Sequence, residues 1–112
     1  MGTDPTGLAS FAVPAPSSGI VGHGVDVQVG GTTAGSRNLI SGNYMGLEFF
    51  SEAIDGLLVQ GNYFGTDPSG LLPVPNSFMG LSLGLGSGTI GGTTPSGRNI
   101  IAESNYGISM QG

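Results

Sequence analysis

Val29-Gly30-Gly31-Thr32-Thr33-Ala34-Gly35-Ser36-Arg37-Asn38-Leu39-Ile40 returns further along the chain as Ile90-Gly91-Gly92-Thr93-Thr94-Pro95-Ser96-Gly97-Arg98-Asn99-Ile100-Ile101. A second string, Gly2-Thr3-Asp4-Pro5-Thr6-Gly7-Leu8, returns as Gly65-Thr66-Asp67-Pro68-Ser69-Gly70-Leu71. Two independent matches at nearly one offset, each about 60 residues, are the mark of a repeat architecture. A shorter repeat lies inside the long one. A Gly followed by alternating apolar residues begins at Gly19 (Ile20, Val21), Gly46 (Leu47, Phe49), Gly80 (Leu81, Leu83) and Gly107 (Ile108, Met110). A second short strand centres on Val29, Val59 and Ile90, at nearly equal spacing. A third falls at Leu39–Ile40, around Tyr63–Phe64 and at Ile100–Ile101.

The spacing predicts turns of about 30 residues carrying three short strands each, with two turns to a long repeat. Strands of three to five residues with period-2 alternation turn one face inward and one outward. One turn cannot bury its inner face, but turns stacked at ~4.8 Å bury all of them in a single column. Gly, Asn and Asp between the strands supply left-handed backbone positions for sharp corners. The expected fold is therefore all-β: a right-handed parallel β-helix, or β-solenoid, of three to four turns. It forms a single segment over 1–112: a loop or partial turn at 1–18, turns at 19–45, 46–79 and 80–106, and the start of another at 107–112. An alternative register of three turns of about 20 residues, matching Ile20, Ile40, Val59 and Ile101, stays open but fits the Gly-started strands less well.

Composition narrows the function. The chain has two Arg, no Lys, seven acids and a net charge of −5, which gives no electrostatic means of holding nucleic acid or an anionic membrane surface. Its 23 Gly have no period of three, so it is not collagen-like. Substantial apolar content with low charge is the reverse of the disordered signature. With no Cys, neither disulfides nor thiolate metal sites can form. No apolar run approaches membrane-spanning length and no basic leader precedes one, so membrane insertion is not expected.

The strings VGGTTAGSRNLISGN, IGGTTPSGRNII and VQGNYFGTDPSG resemble the repeats of bacterial right-handed parallel β-helix proteins of the pectate-lyase-like type, over essentially the whole chain. The resemblance implies an extracellular or cell-surface parent protein. It implies little about activity, because the same solenoid carries adhesins, structural stalks and polysaccharide-degrading enzymes. Neither end shows a cap, and open solenoid ends invite pairing with another copy. A homo-oligomer formed through the ends is expected.

The candidate sites each have a chemical and a structural reading. Gly80-Leu81-Ser82-Leu83-Gly84 matches the nucleophile elbow of esterases and lipases, but on a strand with no helix to follow. A Gly-rich composition also produces this motif readily by chance. His23 is the one His and so the one conventional base for Ser82. In this register it lies two turns away, too far for direct proton transfer within one chain. Gly22-His23-Gly24 is similar to an element of polygalacturonases, whose other elements are missing; a surface or turn His is the plainer reading. The outward column of the first strand is Val21, Glu48, Ser82 and Ser109, which makes Glu48 and Ser82 neighbours. Glu48, Glu52 and Asp55 form an acid cluster that suits Ca²⁺ as the one candidate cofactor or a glycosidase carboxylate pair, set against a solvated acidic edge. Asp4, Arg37, Asp67 and Arg98, at nearly equal spacing, suggest a structural ladder of alternating charge, unless the Asp residues close their own turns. Asn43-Tyr44, Asn62-Tyr63 and Asn105-Tyr106 suit turn packing, with exposed Tyr as a stacking platform for sugars as the alternative. Thr-Thr pairs fall only in alternate turns, which rules out a flat ice-binding face.

The expected function is a structural or interaction module of an extracellular repeat protein that contacts polysaccharide through its lateral face. The competing class is a hydrolase, either a serine esterase using Ser82 and His23 or a polysaccharide-acting enzyme using Glu48 and its acidic neighbours.

Overall fold

A computed structural model describes residues 1–3, 5–9, 17–22, 26–49, 54–84 and 86–110, the side chains of 54 and 55 excepted. The Gly-started strands β1 (Ser18–Gly22), β4 (Met45–Phe49), β7 (Met79–Leu83) and β10 (Tyr106–Met110) lie side by side in one sheet. A second sheet holds β2 (Gln28–Gly30), β5 (Ile54–Gln60) and β8 (Gly86–Ile90). The third holds β3 (Leu39–Ile40), β6 (Tyr63–Phe64) and β9 (Ile100–Ile101). All pairing within the three sheets is parallel. The chain is thus all-β and visits the sheets in rotation, three strands to a circuit. Among the described residues the helical content is two single-turn 3-10 segments, Ala34–Ser36 and Pro95–Gly97, at equivalent places in the repeat. Among them, too, no helix is long and apolar enough to cross a membrane.

The register settles the spacing. Ser18 pairs with Met45, Met45 with Met79 and Met79 with Tyr106, so the middle circuit is longer than the two that flank it. The extra length accommodates the loop after β6, closed by an antiparallel bridge between Thr66 and Pro73. The shorter alternative register fails, because Ile20 pairs with Leu47 rather than with Ile40.

Inward residues of all three sheets meet in one column. Ile40, Leu47, Val59, Phe64 and Leu81 are fully buried, with Val29, Phe49, Leu57 and Leu83 packed around them. The leading Gly of the first sheet makes this closure possible. A Cβ on Gly46 would stand 2.5 Å from the Gly80 carbonyl oxygen and 3.1 Å from the Phe64 ring, so a larger residue would force the first and third sheets apart. At the next corner Gly61 adopts φ +70°, and a Cβ there would lie 2.1 Å from the Gly31 carbonyl oxygen. Both position and conformation demand glycine.

Buried amides tie the circuits together. Asn38 donates its backbone N–H (3.1 Å) and its Nδ2 (3.0 Å) to Asn62 Oδ1. Asn62 repeats the pattern on Asn99 Oδ1 at 2.9 and 3.2 Å. Its Nδ2 also reaches back to the Val29 carbonyl at 2.9 Å. A shorter ladder at another corner joins Asn43 to Asn76 Oδ1 (3.1 Å from the backbone N–H), with Asn76 Nδ2 on the Ile40 carbonyl at 2.8 Å. Tight corners leave backbone groups that no strand can satisfy, and the amides supply both donor and acceptor where water is excluded.

Candidate functional site

The outward column of the first sheet is built as its alternation requires. Val21 pairs with Glu48, Glu48 with Ser82 and Ser82 with Ser109. Glu48 and Ser82 are therefore neighbours in adjacent circuits, both half-buried. The Glu48 carboxylate turns the other way: its Oε2 accepts a 2.7 Å hydrogen bond from the Ser18 hydroxyl. Among the described residues, no hydrogen bond joins Glu48 to Ser82. His23, Glu52 and Asp4 lie outside the described residues, as does the side chain of Asp55, so neither the Ser82–His23 pair nor the Glu48–Glu52–Asp55 cluster can be placed. Among the described residues no group of three or more His, Cys, Asp or Glu side chains gathers to hold a metal ion.

Three members of the expected charge ladder, Asp67, Arg98 and Arg37, lie among the described residues. Arg37 meets a ring and a backbone carbonyl. Its guanidinium sits 4.2 Å over the centre of the Tyr63 ring, and its Nε donates to the Gly61 carbonyl at 3.3 Å. Asp67 closes its own loop: its Oδ1 accepts from the Ser69 hydroxyl (2.6 Å), the Ser69 N–H (3.1 Å) and the Leu72 N–H (3.3 Å). The Ser69 hydroxyl, then the backbone N–H groups, hold the Asp67 carboxyl below its usual range against the opposing effect of desolvation. Asp67 is 4% exposed, but its hydrogen-bond partners all belong to its own loop, so donors at close range outweigh burial. Among the described residues, Arg37, Asp67 and Arg98 form no ion pair. The Asp–Pro–Ser–Gly chemistry of a turn prevails over the longer-range charge pattern.

The Asn-Tyr pairs divide between scaffold and surface. Asn43 and Asn62 are buried in the ladders and Tyr63 lies under Arg37, whereas Asn105 is exposed. Tyr44 stacks on Phe78 with centroids 5.0 Å apart and planes 12° from parallel, and Phe78 meets Tyr106 edge-on at 5.6 Å and 81°. These rings form a column along the corner where the chain enters the first sheet. Tyr44 and Phe78 both stand two positions before the column glycine, which lets them stack. Tyr106 stands immediately before Gly107, opposite Met79, which turns its ring across the column. Beside it, Pro75, Ser77, Glu103, Ser104 and Asn105 line an open depression of about 350 Å³. Tyr106 is 56% exposed. The rings do not line this depression, but its Ser77 and Asn105 adjoin Phe78 and Tyr106 in sequence; an exposed aromatic face can stack on the apolar face of a sugar ring while neighbouring hydroxyl, amide and carboxylate groups hydrogen-bond its edge.

Sequence reasoning named Tyr44 and Tyr106 but missed Phe78, whose matching offset from Gly80 was the available signal. It also missed Asn38, Asn76 and Asn99. The Arg-Asn dipeptide recurs in both copies of the long repeat, and only its Arg attracted notice. No family model, curated protein or solved structure matches the chain.

Proposed function

We propose that this chain is a segment of a right-handed parallel β-helix that serves as a structural and interaction module of an extracellular bacterial repeat protein. Its lateral contact is with polysaccharide, along the corner carrying Tyr44, Phe78 and Tyr106. The observation that carries the reading is the aromatic column with its exposed Tyr106, standing on a scaffold whose buried amides are engaged in holding the circuits together. Right-handedness is supported by the strong bias of crossovers between parallel strands of one sheet, about 98%. The net charge of −5 favours neutral polymers over polyanions.

Affinity electrophoresis through gels containing neutral glucans or mannans tests the contact. Retardation of the native chain that is lost in Tyr106→Ala, with an unchanged circular dichroism spectrum, is the expected result. Equal mobility of the two proteins in every gel overturns it. The hydrolase reading is favoured by one feature, the adjacency of Glu48 and Ser82. It requires hydrolysis of a chromogenic ester by the native chain that Ser82→Ala abolishes.

A further inference from the structure

The short corner between the third sheet and the first occurs in two forms. Ile40-Ser41-Gly42-Asn43-Tyr44 makes it in one circuit, and Ile101-Ala102-Glu103-Ser104-Asn105-Tyr106 makes it two circuits later with one residue more. Both are anchored to the circuit below in the same way. Ser41 N–H donates to the Met1 carbonyl and Ala102 N–H to the Phe64 carbonyl, each at 3.0 Å. Met45 N–H then donates to the Ser17 carbonyl (2.9 Å) and Tyr106 N–H to the Phe78 carbonyl (3.0 Å). Between these anchors the two differ. Asn43 is buried, and its Nδ2 reaches down to the Met1 carbonyl at 3.3 Å. Asn76, in the circuit between, reaches down to the Ile40 carbonyl at 2.8 Å. For Asn105 the corresponding acceptor, the Phe64 carbonyl, is present in the circuit below. Asn105 is exposed instead, and among the described residues its side chain makes no hydrogen bond. The added residue carries the amide out of the ladder.

The same added length opens the corner sideways. Pro75 and Ser77 of one circuit face Glu103, Ser104 and Asn105 of the next across the depression of about 350 Å³, which is at the small end of ligand sites, ~300–1,000 Å³. Both walls are adjacent circuits of the chain, so the depression is a gap between neighbours. The Ser104 hydroxyl donates to the Tyr106 carbonyl at 2.9 Å. Ser77, Glu103 and Asn105 are exposed, and among the described residues their side chains have no hydrogen-bond partner. Glu103 also holds a strained backbone. Its φ is +52°, at the place where the other corner has Gly42 at φ +76°. A residue with a Cβ is disfavoured there, and glutamate is too long for the local hydrogen bonds that let Asn or Asp adopt it. The turn itself needs only a glycine, so the carboxylate serves the depression and not the fold.

We infer that this depression is the subsite that selects the sugar in the proposed contact, and that it takes one neutral hexopyranose unit by two adjacent hydroxyls. Each sugar hydroxyl both donates and accepts. The Glu103 carboxylate accepts from both hydroxyls, and such charge-assisted bonds are about twice as strong as neutral ones. The Asn105 amide and the Ser77 hydroxyl supply the donors that the hydroxyl oxygens need. The same carboxylate repels a uronate or sulfated unit at this position. The inference rests on the polysaccharide reading and adds to it the residue that determines which sugar is held.

Affinity electrophoresis in neutral glucan or mannan gels, referred to polymer-free gels and accompanied by thermal melts, tests it. Glu103→Gln should bind about tenfold more weakly than the native chain. Glu103→Gly should lose as much affinity while its melting midpoint rises by about 3 °C, because the strain at positive φ is relieved. Binding and stability then move in opposite directions, which a glutamate held for the fold would not show. Asn105→Ala should weaken binding about threefold with an unchanged midpoint. Asp26→Asn removes one exposed charge elsewhere on the coil and should leave retardation at the native level. Native retardation in Glu103→Gln, or a lowered midpoint in Glu103→Gly, overturns the inference. Retardation that Tyr106→Ala abolishes and Glu103→Gln leaves intact removes the subsite alone. A native chain unretarded in every gel removes the polysaccharide contact as well.

Discussion

Arg37-Asn38-Leu39-Ile40 and Arg98-Asn99-Ile100-Ile101 are nearly one sequence in two surroundings. Ile40 is fully buried and Ile101 only half-buried. Both arginines are exposed, but Arg37 lies over the Tyr63 ring, and among the described residues no ring lies against Arg98. Nothing in either tetrapeptide accounts for the difference. It comes from the neighbouring circuit, which covers the first copy from above and leaves the second open. In a stacked repeat, stability is a sum of circuit and interface contributions, so the same substitution in the two copies measures the interface.

The widest separation is expected between Asn62→Ala and Asn99→Ala. Asn62 accepts from the circuit below and donates to the circuit above, so its loss leaves at least two buried groups unsatisfied, at about 3–4 kcal/mol. Asn99→Ala removes the acceptor for the Asn62 donors and the Nδ2 bond to the Val59 carbonyl (2.8 Å), but no bond to a further circuit, and should cost about 2 kcal/mol. Urea midpoints with unchanged slopes read both values, and equal losses would break the comparison.

Gly46→Ala and Gly107→Ala come next. At Gly46 a Cβ meets the Gly80 carbonyl oxygen at 2.5 Å, whereas at Gly107 the nearest atom is 3.9 Å away. The first should cost about 3 kcal/mol by overpacking and the second less than about 0.5 kcal/mol. Thermal unfolding of the pair distinguishes them.

Arg37→Ala should lose about 0.5–1 kcal/mol with the Tyr63 contact, and Arg98→Ala no measurable stability. A double cycle with Tyr63→Leu sharpens the point, because the Arg37 effect should shrink in that background to what its bond to the Gly61 carbonyl contributes.

The smallest effect is confined to acid. Because the folded-state pKa of Asp67 lies below its ordinary value of 3.8, the ionised loop stabilises the fold fully above that value. The stabilisation is lost as pH falls through the lowered folded value. Asp67→Asn should therefore be less stable than the native chain at neutral pH, with the gap closing in strong acid. A constant gap in urea midpoints across that range would mean the carboxylate charge plays no part.

Much of this was legible without coordinates, for a specific reason. The two matching offsets of the long repeat, with the Gly-started strands, specify which strand stacks on which, because backbone pairing and a shared interior enforce one register. The neighbours Val29, Val59 and Ile90, and Glu48 beside Ser82, follow from that arithmetic and are found. The site was less legible. Charge spacing suggested an Asp–Arg ladder, yet local turn donors reach Asp67 at 2.6–3.3 Å before any distant guanidinium can. Phe78 joined the aromatic column from the longer middle circuit, where the repeat string is interrupted and pattern matching loses its place.

Periodicity and glycine placement, both properties of the chain alone, dictated strand identity, strand partners and the inward face. They did so because each is a short-range steric rule applied again in every circuit. The orientation of side chains at the corners was decided only by the assembled molecule. Whether an Asn there bridges circuits, an Arg covers a ring or a Tyr turns across its neighbour depends on residues from other circuits, which share a corner only after the circuits have stacked.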